Sequence, residues 1–328
     1  MTGAPSGTTD ALESVAARFD ALVDATPASD RLDHFCSSTD WIVPLHRRLG
    51  TGRVLVRLAP DGADAALAVT RLPSPHRRSL LCGLDVSWGY ARPVVGPDRA
   101  AGVGLVQALL VEERSRADGL LLTGVARTSA FGAALVERLG DRIVAVAGPV
   151  GRRIAWLDGD FDAFLRRRSA SFRRNVRQAR RRAMAAGVCF EWFDGGGAEL
   201  VQRAVAVERS SWKGREGSGL AEPSFAAFYL DMAERLAPSG RLRAGFARLN
   251  GRDVGFILGA VRSADYRGLQ LAYDAAAAPL SLGNLLQLGQ LERLAAEGIE
   301  RYDLGQDMPY KAAWSDEVFV TETVVLKT

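Results

Sequence analysis

Lysine, cysteine and histidine are scarce in this chain of 328 residues. The three lysines are Lys213, Lys311 and Lys327. The cysteines and histidines lie far apart, at Cys36, Cys82, Cys189, His34, His46 and His76. Because this spacing fits neither a disulfide framework nor a metal site, we predict structural roles for these six residues and no metal cofactor.

Long apolar runs are also missing. No run reaches the ~18 residues that a membrane-spanning helix needs. The N-terminal stretch MTGAPSGTTDALESVAARFD has no basic start followed by an apolar core, unlike a signal peptide. We therefore expect a cytoplasmic protein, and the length of 328 residues favours two domains over one.

Positive charge is concentrated in one segment. Residues 166–187 contain nine arginines and no acidic residue, although the net charge of the chain is only +4. Without these nine, the remainder carries a net charge of −5. A preference for arginine over lysine can follow from genome composition alone, so only the clustering of the arginines is informative.

The arginine segment has an amphipathic pattern. Its apolar stripe, at helical spacing, consists of Phe172, Val176, Ala179 and Ala183. Ser171 is the predicted N-cap, and the stripe is flanked by Arg173, Arg174, Arg177, Arg180 and Arg181. Repulsion among these arginines costs the helix about 1–2 kcal/mol, which either a solvated surface tolerates or a negatively charged partner removes.

The second half of the chain has a clear order of elements. Helical periodicity is present from near Asp160 through the arginine segment, and again over 200–212, 224–240 and 281–298. Residues 241–274 alternate as three antiparallel strands, with Asn250-Gly251 as a strong hairpin signal. Further strands are predicted over 299–305 and 319–326.

The first half repeats part of this order. A weak helical pattern around Leu12 and Phe19 precedes a predicted hairpin of strands 53–59 and 65–72 across PDGAD, and a strand over 79–84. A helix over 102–119, closed by Gly119, is followed by strand 120–125, helix 129–140 and strand 142–148. We predict an α/β (α+β) fold of two tandem domains, each a mixed, mostly antiparallel sheet flanked by helices. Their bounds are 31–155 and 156–328, after a flexible or helical segment 1–30.

The element order of the second half resembles the acyltransferase fold of the GNAT superfamily. The motifs SFRRNVRQARRRAMAAGV, VERSSWKG, LAYD, YDLG and YKAAW occur in that order. They resemble tandem-GNAT proteins related to the Fem-type peptidoglycan aminoacyltransferases, and most closely the BioF2-like or CelD-like acetyltransferases. The resemblance covers roughly residues 30–328, is strongest from 160 onward, and implies acyl transfer to an amine.

The resemblance implies where an acyl donor binds. In GNAT enzymes the pantetheine arm of coenzyme A lies between two splayed strands, and its pyrophosphate lies at the N-terminus of the intervening helix. The corresponding residues are Ser281, Gly283 and Asn284, although only Gly283 remains of the glycine-rich loop. In the first half, Arg99, Gly102 and Gly104 fit the R/Q-x-x-G-x-G/A pyrophosphate pattern, with a tight turn as the alternative.

Acyl transfer needs a neutral amine. A lysine-like amine costs roughly 4–5 kcal/mol to deprotonate at pH 7, and a carboxylate can act as general base. The candidates are Asp274 at the end of QLAYD, Asp303 in RYDLG and Glu208 in VERSSWKG. The alternatives are strand-end caps for the two aspartates and a structural hydrogen bond for Glu208.

Two of the rare lysines are further site candidates. Tyr310-Lys311 resembles the Phe/Tyr-Lys pair of Fem-type enzymes, whose lysine lies in the substrate channel, so the resemblance implies a catalytic role for Lys311. Trp212 and Lys213 are candidate substrate contacts, with a solvated lysine as the alternative. Tyr273 is a candidate wall of the same cleft.

Three anionic partners fit the arginine segment, with Arg173 and Arg177 as the predicted contacts. They are the phosphates of coenzyme A, an aminoacyl-tRNA, and the acidic helix of an acyl carrier protein. A tRNA needs a broad basic surface, so the acidic remainder of the chain and the lack of aromatic residues among the arginines favour the other two.

We predict an N-acyltransferase. Its donor is a thioester, either acyl-CoA or a phosphopantetheine-linked acyl group, and its acceptor is an amine on a small molecule or peptide. The alternatives are a tRNA-dependent aminoacyltransferase of the Fem type and a non-catalytic basic binding protein.

Overall fold

The computed structural model describes residues 6–50, 53–57, 64–72, 79–86, 88–158 and 160–328, without the side chains of residues 6–9 and 57. Most of the turn predicted at 60–64, and His76, lie outside these ranges. The described chain divides into two units, the first formed by residues up to 151 together with 319–328 and the second by residues 152–318.

The helices are α1 (Ser6–Ser14), α2 (Ala16–Ala25), α3 (His34–Ser37), α4 (Thr39–Leu49), α5 (Arg99–Glu112), α6 (Ala130–Leu139), α7 (Phe161–Arg166), α8 (Ala170–Ala185), α9 (Ala198–Ser210), α10 (Trp212–Arg215), α11 (Pro223–Leu236) and α12 (Leu282–Ala296). The strands are β1 (Val54–Arg57), β2 (Ala66–Leu67), β3 (Val69–Leu72), β4 (Ser79–Cys82), β5 (Val94–Val95), β6 (Ala117–Val125), β7 (Ile143–Trp156), β8 (Cys189–Asp194), β9 (Leu242–Leu249), β10 (Arg252–Arg262), β11 (Asp265–Tyr273), β12 (Arg301–Gln306) and β13 (Glu317–Lys327). Among the described helices, none is long and apolar enough to cross a bilayer.

The first unit is built on a mixed sheet. Its strands follow the order β1–β3–β4–β6–β13, in which only β4 and β6 are parallel. Helices α5 and α6 contribute Leu109, Val106 and Phe131 to a core shared with Leu122 and Val324 of the sheet. The predicted domain 156–328 included the final strand, whereas residues 319–328 cluster with the first unit because β13 pairs with β6.

The structure corrects the end of the helix predicted over 102–119. α5 ends at Glu112, and Gly119 lies inside β6. A Cβ atom at position 119 would lie 2.5 Å from the carbonyl oxygen of Leu326 in β13. This glycine therefore permits two strands to approach closely and does not terminate a helix.

The second unit is also built on a mixed, mostly antiparallel sheet, as predicted. Its strand order is β7–β12–β11–β10–β9–β8, and β11 and β12 form its parallel pair. The Asn250-Gly251 hairpin between β9 and β10 is confirmed, because both residues have positive φ angles (52° and 77°), as a type I′ turn requires.

The arginine segment forms two helices, where the sequence predicted one. Asp160 caps α7 by accepting from the backbone N–H groups of Asp162 and Ala163. A second cap, Ser169, accepts from Phe172 N, so α8 begins at Ala170 and the predicted N-cap Ser171 lies inside it. The apolar stripe is confirmed, since Val176, Ala179 and Ala183 are buried and Phe172 packs on the core.

Candidate active site

The parallel strands β11 and β12 diverge soon after they meet. Their pairing covers three residues of each strand, Asp265–Arg267 with Arg301–Asp303. β11 continues to Tyr273 and β12 to Gln306. Gly305, with a φ of 79°, follows the last pair and marks a register shift against β7. The second unit therefore contains the splayed pair of strands that the resemblance implied.

A cavity of about 620 Å³ opens where these strands separate. It is lined by residues 268–273 of β11, by Tyr302 and Leu304 of β12, by part of α12 and by Met308, Tyr310 and Lys311. Eight predicted site residues line it, namely Trp212, Lys213, Tyr273, Ser281, Gly283, Asn284, Tyr310 and Lys311. The tertiary structure thus brings together side chains from four separate parts of the second unit.

The N-terminus of α12 lies at this cavity. Ser281 precedes the helix in the left-handed conformation (φ 57°), and no side chain caps the helix. A Cβ atom on Gly283 would lie 3.1 Å from the ring of Tyr273 and 3.3 Å from Leu271, so glycine lets the helix approach β11. The first turn of α12 therefore presents its backbone N–H groups and positive dipole end without a competing carboxylate in its cap.

The Arg99 motif of the first unit has different surroundings. It lies within α5, whose N-cap Asp98 accepts from Ala101 N. Arg99 itself donates to Asp30 (2.6 Å) and Ser29 (2.7 Å). Gly102 is buried, and a Cβ atom there would lie 3.0 Å from Val94, whereas Gly104 has open space around its Cα. Because an aspartate already occupies this helix end, we leave Arg99, Gly102 and Gly104 out of the donor site proposed below.

The partly buried side chain of Lys311 lines the cavity. Its Nζ donates to the carbonyl oxygens of Leu304 (2.8 Å) and Gln306 (2.9 Å). Burial, followed by the nearby Arg267 guanidinium, lowers the pKa of Lys311 from 10.5 to about 8, against an opposing effect of Asp303. Lys311 can therefore exchange a proton near neutral pH, unlike an ordinary surface lysine.

Lys213 lies at the same cavity and faces Glu208. Its Nζ donates to the side-chain oxygen of Gln270 (3.0 Å) and lies 3.9 Å from Oε2 of Glu208. Glu208 is fully buried, and its Oε1 accepts from Leu220 N at 2.6 Å. Burial lowers the pKa of Lys213 and raises the pKa of Glu208, while their mutual attraction opposes both shifts. The pair is therefore a coupled, desolvated charge pair beside the cavity.

The three predicted carboxylates do not line the cavity. Asp303 contacts Arg152, accepts from Gly305 N (2.7 Å) and lies 3.8 Å from Arg267. Asp274 caps the short 3-10 helix 275–280 by accepting from Ala276 N. Both aspartates thus have the structural contacts that the sequence left open as alternatives, and among the residues that line the described cavity the titratable side chains are lysines and tyrosines.

Aromatic side chains surround the mouth and walls of the cavity. Trp212 and Tyr310 line it while keeping 58% and 63% of their surfaces exposed. Tyr273 lies against α12, as the contacts of Gly283 indicate. Exposed aromatic groups beside a concave site are typical of substrate-binding surfaces.

Sequence reasoning missed Gln287 and Tyr302, which both line the cavity. The buried Tyr302 hydroxyl donates to Oε1 of Gln287 (3.2 Å), which leaves the amide nitrogen Nε2 buried without a hydrogen-bond acceptor among the described atoms. The available signal was spacing, because Gln287 is four residues after Gly283 and shares its helix face.

Arg173 and Arg177 lie elsewhere. They line a separate groove formed by α7, α8 and Leu288 of α12. Arg173 donates to backbone carbonyls at the end of α7, including Leu165 and Arg166, and Arg177 donates to the carbonyl of Arg173. The structure therefore does not bring these two arginines to the cavity that holds the lysines.

The described part of the chain lacks any group of three or more histidine, cysteine or acidic side chains arranged to hold a metal ion. Cys36 and Cys82 are buried and Cys189 is exposed, and none of the three forms a disulfide. His46 is buried, and burial lowers its pKa to about 4.

Comparison with known proteins identifies the fold. Residues 170–312 match the family model described as Acetyltransferase (GNAT) domain. FemX superposes with a TM-score of 0.67 at 12% identity, over 94% of this chain and 96% of that chain. A conserved protein of unknown function from Bacteroides thetaiotaomicron has a TM-score of 0.65 at 12% identity, over 96% and 97%.

L-PGS from Bacillus licheniformis has a TM-score of 0.56 at 11% identity, over 100% of this chain and 94% of that chain. No curated protein sequence matches the chain. Identities this low establish the fold alone, and the matched domain contains the whole splayed pair and α12. Residues 170–312 in the second unit therefore resemble a GNAT acetyltransferase domain, and the chain shares its fold with FemX.

Proposed function

We propose that the protein transfers an acyl group from a thioester donor to an amine acceptor. The GNAT domain and the FemX-like fold support acyl transfer in general. The observation that carries the proposal is the cavity between the splayed strands β11 and β12, with the uncapped N-terminus of α12 at its edge. A pantetheine arm fits between separated strand edges, and a phosphate fits an open helix N-terminus.

The donor in this proposal is acyl-CoA or the phosphopantetheine arm of a carrier protein, which share the same chemistry at the cavity. Gly283 would contact the phosphate through its backbone N–H in the first turn of α12. Ser281 and Asn284 would contact it through their side chains, because their N–H groups donate to the carbonyls of Ala278 and Ser281. The edge of β11 beyond Arg267 would pair with the amide groups of the arm, since its backbone groups lack strand partners in the gap. On β12 the carbonyls of Leu304 and Gln306 already accept from Lys311.

Gln287 is the proposed donor to the acyl carbonyl. Tyr302 donates to Oε1, and burial raises the pKa of this tyrosine, so the hydroxyl keeps the proton that it donates. The amide orientation is thereby fixed with Nε2 as the remaining polar atom. A donor already aimed at the cavity stabilises the oxyanion that forms when an amine adds to a thioester.

Lys311 is the proposed general base. In its neutral form Nζ keeps two hydrogens, which the carbonyls of Leu304 and Gln306 accept, and a lone pair remains for a proton. The acceptor ammonium first loses one proton to solvent, and the neutral nitrogen attacks the thioester carbonyl while Lys311 accepts the second proton from that nitrogen. The C–S bond then breaks, and Lys311 returns this proton to the departing thiolate.

Lys213 is the proposed cation of the site. Glu208 opposes the loss of its proton, and the ammonium can attract the developing oxyanion or a carboxylate on the acceptor. Trp212 and Tyr310 would contact the acceptor at the mouth of the cavity.

The test is a transfer assay with acetyl-CoA and a long-chain acyl-CoA against a panel of amines. The released thiol and the mass of the acylated amine are both measured, and calorimetry gives the affinity for coenzyme A. We expect saturable binding and formation of an amide. Transfer from an aminoacyl-tRNA but from no thioester would replace the proposed donor, and thioester binding with no transfer to any amine would favour a binding protein.

A further inference from the structure

A second concave surface lies beside the donor cavity, between α7 and α8. We name it the arginine groove. It has a volume of about 390 Å³, a rim of arginines and an apolar floor. The rim consists of Arg166, Arg173, Arg177 and Arg180, and the floor of Phe161, Leu165, Val176 and Leu288.

The groove continues along α12. An adjoining cavity of about 380 Å³ shares Arg180 and Leu288 with it and extends over Leu285 to the rings of Phe190 and Trp192. An extended apolar floor beneath a charged rim is unlike a merely solvated helix face, whose surroundings are polar throughout. The shape suits an elongated ligand that presents both apolar and anionic groups.

Within the described chain, Arg166 is the rim arginine that pairs with a carboxylate, that of Asp160 at 3.1 Å. Arg177 and Arg180 have no acidic partner there, and neither do Arg174, Arg181 and Arg182 on the outer side of α8. Asp162 and Glu292 are the acidic residues that line the two cavities. The surface therefore favours a partner that carries several negative charges.

The spacing of the rim favours a helix as that partner. Arg173, Arg177 and Arg180 follow one another at helical intervals and span about 10 Å along α8. A helix with carboxylates at similar intervals beside an apolar ridge matches both the rim and the floor. A nucleic acid matches the charge but not the floor, and no aromatic side chain stands among the exposed arginines for bases to stack upon.

The groove and the donor cavity share a wall. Gln287 lines the donor cavity and the next residue, Leu288, lines the groove. Phe172 of α8 packs edge-to-face on Trp314, which also lines the donor cavity, with ring centroids 4.8 Å apart. A protein docked on the groove would stand next to the entrance for its own prosthetic arm.

We propose that the arginine groove docks the acidic amphipathic helix of an acyl carrier protein, whose phosphopantetheine arm then enters the donor cavity. This inference rests on the thioester donor of the proposed function, and it specifies that the donor is the carrier protein and not free acyl-CoA. The acidic helix contacts the rim arginines, and its apolar ridge contacts Leu165, Val176 and Leu288.

The test titrates purified holo acyl carrier protein into the full-length protein at low and moderate ionic strength. We expect saturable binding that weakens as salt rises. Arg180→Glu should weaken it about tenfold, and Arg177→Glu with Arg180→Glu about a hundredfold. The matched control is Arg181→Glu, which makes the same charge change on the adjacent residue but lies outside both grooves, and should weaken binding about threefold or less.

A change in the floor separates a protein helix from a nucleic acid. Leu165→Ser should weaken carrier binding while the melting temperature and circular dichroism confirm the fold. Bulk tRNA serves as the competing probe. If tRNA binds more tightly than the carrier protein, and Arg180→Glu and Arg181→Glu weaken it equally, the groove is not a carrier-protein site.

Failure of this inference is distinguishable from failure of the proposed function. Transfer from free acetyl-CoA should be unchanged in Arg180→Glu, since Arg180 lies outside the donor cavity. Acetyl-CoA turnover without any carrier binding would overturn the docking site and keep the acyltransferase. Groove-dependent carrier binding without transfer from any thioester would keep the docking site and overturn the enzyme.

Discussion

Each unit of this protein contains a strand, a helix and a parallel strand, yet the two copies differ at the point where a ligand would bind. In the first unit every residue of β4 pairs with β6, and Asp98 caps α5. In the second unit the pairing of β11 with β12 stops after three residues, and α12 has no side-chain cap. The same arrangement thus forms a closed structural core in one unit and an open cavity in the other.

A pyrophosphate motif in the sequence does not by itself leave a helix N-terminus open. The Arg99 pattern matches the family better than PLSLGN does, but its arginine contacts Asp30 and Ser29, and its helix end holds a carboxylate. The less regular stretch at 281–284 has the open helix end and the cavity. Free N–H groups and available space matter more than the glycine pattern.

The largest expected effect is that of Lys311→Met. Removing a general base lowers kcat/KM by about 10²–10⁴-fold. In the wild type, kcat/KM should rise as the pH rises through about 8, because burial lowers the pKa of Lys311 from 10.5 and only the neutral amine accepts a proton. The variant should lose this step in a pH–rate profile measured with acetyl-CoA.

The matched variant in the first unit is Arg99→Met, which removes a cation that contacts Asp30. It should leave kcat/KM and the pH profile unchanged and alter only the melting temperature. A wild-type rate that falls as the pH rises through about 8 would instead make the charged form of Lys311 the active one.

The second largest effect is expected for Gln287→Leu. This variant should lower kcat about 10²-fold, because it loses a hydrogen-bond donor to the oxyanion. Gln290→Leu is its matched control, because Gln290 is also buried on the same helix but does not line the cavity. Calorimetry should show that wild type prefers acetyl-CoA over a thioether analogue that lacks the carbonyl, and that only Gln287→Leu abolishes the preference. Equal losses for both ligands would make Gln287 a structural residue.

Ser281→Asp would give α12 the acidic end that α5 already has. Aspartate tolerates the left-handed backbone at this position, and its carboxylate would repel a phosphate at the helix N-terminus. We expect the Kd for coenzyme A to increase about tenfold, with Ser281→Asn as the uncharged control. Unchanged affinity in the aspartate variant would move the phosphate away from α12.

The smallest effect is expected for Asp98→Ala in α5. Loss of this N-cap should lower the free energy of unfolding by about 1 kcal/mol, as measured by urea denaturation. The affinity for coenzyme A should not change. A change in that affinity would return the donor site to the first unit.

Much of the second unit was predictable because its signals are local. Asn250-Gly251 specifies its own turn, and the stripe of α8 specifies its buried face. The predicted helix boundaries were wrong where a glycine or serine is compatible with two structural roles. Gly119 lies in a strand and does not end a helix, and Ser169 takes the N-cap role predicted for Ser171. Eight predicted site residues line one cavity, namely Trp212, Lys213, Tyr273, Ser281, Gly283, Asn284, Tyr310 and Lys311.

The sequence by itself determined the types and order of the elements in the second unit, the clustering of arginine and the rarity of lysine, because periodicity, turn chemistry and composition reside in neighbouring residues. The tertiary structure alone decided that Asp303 pairs with Arg152, 151 positions away, and that Gln287 is buried with a free amide nitrogen. It also decided which of two similar helices keeps an open N-terminus. Ion pairs, cavities and burial depend on residues that meet only when distant segments pack together.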